Sequence, residues 1–192
     1  MASPYARFRS FLFPNWSEPR RAEIVSPARK RWDTVEICGH ESRKDDTMGH
    51  TYASNLIHLV FSTKERKPIL PEELFEKFHQ YLVGIARNHK IEILASGGTL
   101  DHIHALICVP TTFSVADAAR VLKANSSRWI GEHTVDFGWQ EGYGAFSVSP
   151  SQIPIVKAYI ARQAEHHRKR DSRAEFVELL QLCGVPFRPD EV

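Results

Sequence analysis

From Tyr52 onward the chain switches between strand-like and helix-like periodicity in a fixed order, and that order limits the fold more than any bulk property. Tyr52–Thr63 is rich in apolar and β-branched residues and stops at the cluster Lys64-Glu65-Arg66-Lys67-Pro68, as a strand does on meeting a turn. Pro71–Asn88 sets Leu74, Phe75, Phe78, Tyr81, Leu82 and Ile85 at helical spacing, with Pro71 suited to a first turn. Ile91–Ser96 reads as a second strand, and Gly97-Gly98 supplies turn chemistry. The third strand carries His102 and His104 and ends near Pro110. Ser114 can cap a helix running to about His133, with Asp117 three residues on as a weak capping box. Ala145–Ser149 is a fourth short strand. Ser151 to about Arg170 predicts a long helix with Pro154 in its first turn. A last helix, from about Arg173 to Leu182, closes at Gly184 and Pro186.

The succession β-α-β-β-α-β followed by helices predicts an α+β protein with a ferredoxin-like antiparallel sheet. The hairpin sets strands two and three side by side, and the crossovers leave strands one and three central. Residues 48–192 form this patterned domain. Residues 1–47 mix arginines, prolines and acids without periodicity, and we expect a poorly structured extension there, with Met48 as a candidate native start. Phe11-Leu12-Phe13 is too short for the apolar segment of a signal peptide, and Pro14 follows at once.

The chain of 192 residues is 42% apolar, enough for a packed core. No stretch reaches the roughly 20 apolar residues that a membrane-spanning helix needs. A formal charge of +2 gives no global positive field, so any nucleic-acid contact must use local patches. Cys38, Cys108 and Cys183 are odd in number and far apart, which argues against a disulfide framework and for a cytoplasmic protein.

The third strand holds the chemistry. Side chains alternate on a strand, so Leu100, His102 and His104 share one face while Asp101, Ile103 and Ala105 take the other. Two imidazoles on a rigid strand can hold one metal ion, though a half-buried polar face is the plainer use of such a pair. A metal site needs a third ligand. Tyr159 and Gln163 are four apart on a helix and share a face, and His166 lies close to it. A carboxamide oxygen or a third imidazole completes a site for Mg²⁺ or Mn²⁺. Tyr159 beside Val156 and Ile160 is an ordinary packing choice, yet a phenol is also a competent nucleophile. Asp101 either ends the glycine turn, the simpler reading, or orients an imidazole.

Five blocks in order carry a resemblance. They are Tyr52-Ala53-Ser54-Asn55-Leu56-Ile57-His58-Leu59-Val60-Phe61-Ser62-Thr63 with its basic tail, Asp101-His102-Ile103-His104, Leu122 to Ile130, Trp139 to Ser149, and Tyr159 to His167. Together they resemble the small single-tyrosine HUH transposases of the simplest bacterial insertion sequences, the TnpA-like proteins, with REP-associated tyrosine transposases as close kin. The resemblance implies that His102 and His104 are metal ligands, that Gln163 is the third, and that Tyr159 attacks a DNA phosphodiester. The doublet His166-His167 leaves the third ligand open. The substrate implied is single-stranded DNA with hairpin ends, cut through a 5′-phosphotyrosine that frees a 3′-OH and needs no nucleotide cofactor. A homodimer is implied as well, with the tyrosine helix of one subunit against the histidine strand of the other.

Lys123, Arg128, Lys157 and Arg162 are the candidate DNA contacts, with Arg168, Lys169 and Arg170 beyond them. Tyr143 is a candidate for base stacking, whereas Trp129 and Trp139 suit packing better. Glu141 and Gly142-Tyr143-Gly144 look like a loop that approaches the site. Two rival readings remain: a related nicking enzyme of the replication-initiator or relaxase kind, and a non-catalytic or domesticated binder of single-stranded nucleic acid.

Overall fold

The computed structural model describes residues 53–163, 167 and 171–189. The expected N-terminal extension, the Met48 start, His166 and the basic run 168–170 lie outside the described residues. Four strands, β1 (Leu56–Ser62), β2 (Glu92–Gly98), β3 (His102–Cys108) and β4 (Gly144–Ser147), form one sheet in the order β2-β3-β1-β4. Every neighbouring pair is antiparallel. Strands one and three are central, as the split βαβ order predicts. Helices α1 (Phe75–Asn88) and α2 (Val115–Gly131) follow β1 and β3, and α3 (Ile153–Ala161) and α4 (Ser172–Leu182) follow β4.

Every residue of β3 is buried. Ile103, Ala105 and Ile107 point to one side, where they meet Ile57, Leu59 and Phe61 of β1, Phe78 and Leu82 of α1, and Leu122 of α2. Leu106 and Cys108 point to the other, against Val156, Tyr159 and Ile160 of α3 and Leu179 and Leu180 of α4. Each such aliphatic or aromatic side chain contributes about 1.5–3 kcal/mol on burial. The sheet is therefore covered on both faces, and the histidines lie in an interior rather than on a half-solvated surface.

Several boundaries differ from expectation for identifiable reasons. Gly97 and Gly98 are not a turn. They are paired residues of β2, opposite His104 and Ile103. A side chain at Gly97 would strike the carbonyl of Ile160, and one at Gly98 would strike that of His102. The turn falls at residues 99–101, so Leu100 is 38% exposed and leaves the histidine face. A short 3-10 turn, Glu72–Leu74, separates Pro71 from α1. Ser114 caps α2 as expected, its Oγ accepting from the Asp117 N–H at 3.0 Å.

The tyrosine helix α3 is interrupted at Arg162, helical backbone resumes at Gln163, and most of the expected span beyond it lies outside the described residues. Its end tightens where the Arg162 N–H bonds the Tyr159 carbonyl at 3.1 Å. Cys183 is a free, partly buried thiol. Among the described residues, no helix is long and apolar enough to cross a membrane.

Candidate active site

β3 pairs with β1 so that Val60 faces His104 and Ser62 faces His102. Both imidazoles are 3% exposed or less, and buried polar groups need partners. His104 finds one diagonally across the strands. The Nε2 of His58 lies 2.9 Å from the Nδ1 of His104, with the rings stacked. Burial pushes the His58 imidazole down to about 3, so His58 is neutral. A proton on His104 Nδ1, donated to His58, directs the lone pair of Nε2 to the far side of the ring. His58 belongs to the first sequence block, but nothing local in that block marked its role.

His102 is held from behind by Asp101. The Nδ1–H donates to Asp101 Oδ1 at 2.8 Å, and Thr99 Oγ1 lies at 2.8 Å from the same nitrogen. Ser172, at the start of α4, donates to the other oxygen of Asp101 at 2.6 Å. Burial alone would raise the Asp101 carboxyl, but hydrogen bonds from His102, Ser172 and Thr99 outweigh it and hold it well below the usual range. The simpler sequence reading of Asp101 is thus incomplete: its carboxylate accepts from Thr99 within the turn and also orients the imidazole.

Gln163 reaches the other nitrogen of His102, with Oε1 3.3 Å from Nε2. The amide nitrogen of Gln163 faces Glu175 Oε1 at 3.3 Å, which directs Oε1 toward His102. In the tautomer with Nδ1–H given to Asp101 and Nε2 bare, His102 Nε2 and Gln163 Oε1 face each other as two acceptors. Adjacent octahedral ligands, at about 2.0–2.1 Å from one ion, are separated by about 3 Å, so this pairing fits a divalent cation. Ligand atoms of His102, His104 and Glu175 also lie within 4.8 Å of one another.

Glu175 is another residue that sequence reasoning missed. It is 3% exposed and lies 2.5 Å from His167 Nε2. Burial, reinforced by Glu178 and Asp101, pushes its carboxyl up to about 8. The one available signal was weak: Glu175 precedes buried Leu179 by four positions on α4.

Tyr159 is 3% exposed. Its ring stands edge-on to His104 of the same chain at 5.5 Å and to His58 at 5.9 Å. A single chain thus brings the tyrosine helix onto its own histidine strand. A cavity of about 370 Å³ opens beside the histidines, lined among others by Ser62, Arg66, His102, His104, Tyr143 and Glu175. Tyr159 is not among the residues that line it.

The candidate DNA contacts separate. Arg128, Lys157 and Arg162 are exposed and lie outside the cavity wall. Lys123 instead donates to three successive carbonyls, those of Gln140, Glu141 and Gly142, at 2.5, 2.8 and 2.8 Å. Its ammonium organises the loop that leads to Tyr143. Trp129 and Trp139 pack against the α1–α2 core, while Tyr143 is 40% exposed at the cavity.

Fold and site together define an α+β protein whose central strand presents a buried histidine pair beside a cleft. The chain belongs to the IS200-like transposase family, whose profile matches residues 51–163, over half of the chain. Two solved structures are similar. One, a candidate transposase from Deinococcus radiodurans R1, is 24% identical with a TM-score of 0.48, covering 60% of this chain and 96% of that one. The other, a REP-associated tyrosine transposase bound to a REP hairpin, is 14% identical with a TM-score of 0.49, covering 62% of this chain and 74% of that one. A comparison with curated protein sequences finds no match.

Proposed function

We propose that this transposase cleaves and rejoins single-stranded DNA at hairpin-bearing element ends through a 5′-phosphotyrosine on Tyr159. The observation that carries the reading is the acceptor-to-acceptor pairing of His102 Nε2 and Gln163 Oε1 beside the cleft, four residues along the chain from Tyr159. His102, His104 and Gln163, with Glu175 as a further oxygen donor, would hold Mg²⁺ or Mn²⁺. When bound, that cation supplies Lewis-acid polarisation of the phosphodiester.

The protein's own residues do the rest. Asp101 and His58 fix the tautomers and ring planes of His102 and His104. Tyr143 offers a stacking surface at the cleft, and Arg128, Lys157 and Arg162 supply exposed positive charge for the flanking backbone. Tyr159 Oη forms the bond to phosphorus, the 3′ oxygen leaves and takes a proton, and the phosphodiester energy stays in the phosphotyrosine. Because the tyrosine is buried, attack requires α3 to turn it toward the cleft. The tyrosine that serves each histidine pair would be its own or that of a partner subunit. A homodimer would serve to hold two ends at once.

The test is a covalent adduct. Protein is incubated with Mn²⁺ and single-stranded oligonucleotides from the DNA flanking the gene. Tyr159→Phe should abolish the adduct and preserve binding, and an adduct that survives removes Tyr159 from its role. The burial of Tyr159 favours one second reading, a non-catalytic binder of single-stranded nucleic acid. Tight binding with no adduct under any divalent ion would select it.

A further inference from the structure

The turn after β1 is fastened at several points. Thr63 is fully buried, and its N–H bonds the Asp101 carbonyl at 2.8 Å. Its hydroxyl donates to the Lys67 carbonyl at 2.6 Å, and the Lys64 N–H bonds the Gly138 carbonyl at 2.8 Å. Between these anchors Glu65 and Arg66 both adopt positive φ, 56° and 53°. A non-glycine residue in that region costs on the order of 1–3 kcal/mol and persists only where its surroundings enforce it. Two in succession mark a turn held in an unfavourable shape.

That shape determines where Arg66 goes. Its side chain is half-buried and lines the cleft with His102, His104 and Glu175. The guanidinium lies over the Phe176 ring, 5.6 Å from its centroid. One nitrogen approaches Ser172 Oγ at 3.5 Å, and that same Ser172 holds Asp101 behind His102. Ring and hydroxyl fix the plane of a group with five N–H donors. Burial works against the guanidinium charge, while Asp101, Asp171 and Glu175 support it from around the cleft.

We propose that Arg66 is the phosphate-binding residue of this cleft, its planar fork taking the non-bridging oxygens of the DNA phosphate seated between it and the His102–His104–Glu175 cluster. The identity of the ligand as a nucleotide phosphate rests on the cleavage reading above. A guanidinium suits the task better than an ammonium because it engages two phosphate oxygens at once in a fixed plane. Arg173 also lines the cleft, but it is exposed and donates to the Pro189 carbonyl at 2.7 Å.

Thymidine 3′,5′-bisphosphate is a sequence-independent probe, titrated into full-length protein in Mg²⁺ buffer by calorimetry, with thymidine as the uncharged control. Wild type should bind the bisphosphate and not thymidine. Arg66→Gln should weaken binding about tenfold, the loss of a charge-assisted contact. Arg66→Lys, which keeps the charge and the turn but not the fork, should fall between. Melting temperatures of both variants should stay within about 2 °C of wild type, because the anchors of the turn lie at Thr63 and Lys64. Equal affinity in wild type and both variants, or no binding by wild type, overturns the proposal. The two readings fail separately. Arg66-dependent bisphosphate binding without a DNA adduct would sink the cleavage reading alone. A wild-type adduct rate in Arg66→Gln would sink the Arg66 inference alone.

Discussion

Replacing Gly97 by alanine should separate the tyrosine helix from the histidine strand. Gly97 sits opposite His104 in β2, on the face that α3 covers. A Cβ there would lie 2.5 Å from the Ile160 carbonyl oxygen and 3.0 Å from Ile160 Cγ2, where ordinary contact begins at 3.4 Å. The clash is with backbone, which has no rotamer to escape into, so α3 must retreat by about 0.9 Å. Overpacking of this kind costs about 1–3 kcal/mol. Alanine returns about 0.4–1 kcal/mol by restricting the unfolded chain, which leaves a net loss of about 1–2 kcal/mol. For a domain of this size that lowers the melting temperature by roughly 2–8 °C.

Catalysis should suffer more than stability, because Tyr159 is the neighbour of Ile160. A misplacement near 1 Å can cost about a hundredfold in rate. The assay pairs urea denaturation with the rate of adduct formation at a temperature where the variant is fully folded. Gly84→Ala is the control: Gly84 lies within α1 with nothing inside 4 Å of its added Cβ, so it should stabilise by about 0.5–1 kcal/mol and leave the rate alone. If Gly97→Ala matches wild type in both measurements, the close contact of α3 with β2 does not place the tyrosine, and the reasoning fails.

Four further outcomes are expected. His58 is neutral in the fold, with its pKa down at about 3, so below pH 6.5 the unfolded chain takes up a proton that the native state refuses. Stability then falls by about 1.4 kcal/mol per pH unit on acidification from this site; His58→Gln, studied in chelator, should flatten the urea midpoint between pH 6.5 and 4.5, and an unchanged slope contradicts the burial argument. Lys123→Met should loosen the loop at Gln140–Gly142, read as faster amide exchange there, and weaken DNA binding without altering its salt dependence. Arg128→Gln should instead reduce the salt slope by about 1, and a reduced slope for Lys123→Met would return that residue to the phosphate contacts. Glu175→Gln should weaken Mn²⁺ binding about 10–100-fold by calorimetry, and undiminished affinity would exclude the carboxylate as a ligand.

Local periodicity made part of this site legible. A period of two put His102 and His104 on one face, and a period near four linked Tyr159 to Gln163. The strand order followed from the sequence of elements, since one hairpin and two crossovers leave few ways to arrange four strands. What stayed hidden depends on which elements meet across the fold. The helices after β4 cover the histidine face, and no pattern within α3 or α4 announces that. Once they do, neither imidazole can be solvated, and each needs a partner from elsewhere: His58 by a diagonal across β1, Asp101 through the turn that shifted when Gly97 and Gly98 joined the strand. The same covering turns Glu175, an acid that reads as surface on a short helix, into a buried carboxyl beside His167, Gln163 and the charge of Arg66. Arg66 was obscured differently, because its position depends on two successive residues of positive φ, and no preference of glutamate or arginine predicts such a backbone. The residues that sequence reasoning missed are thus those whose surroundings, rather than whose neighbours in the chain, determine their chemistry.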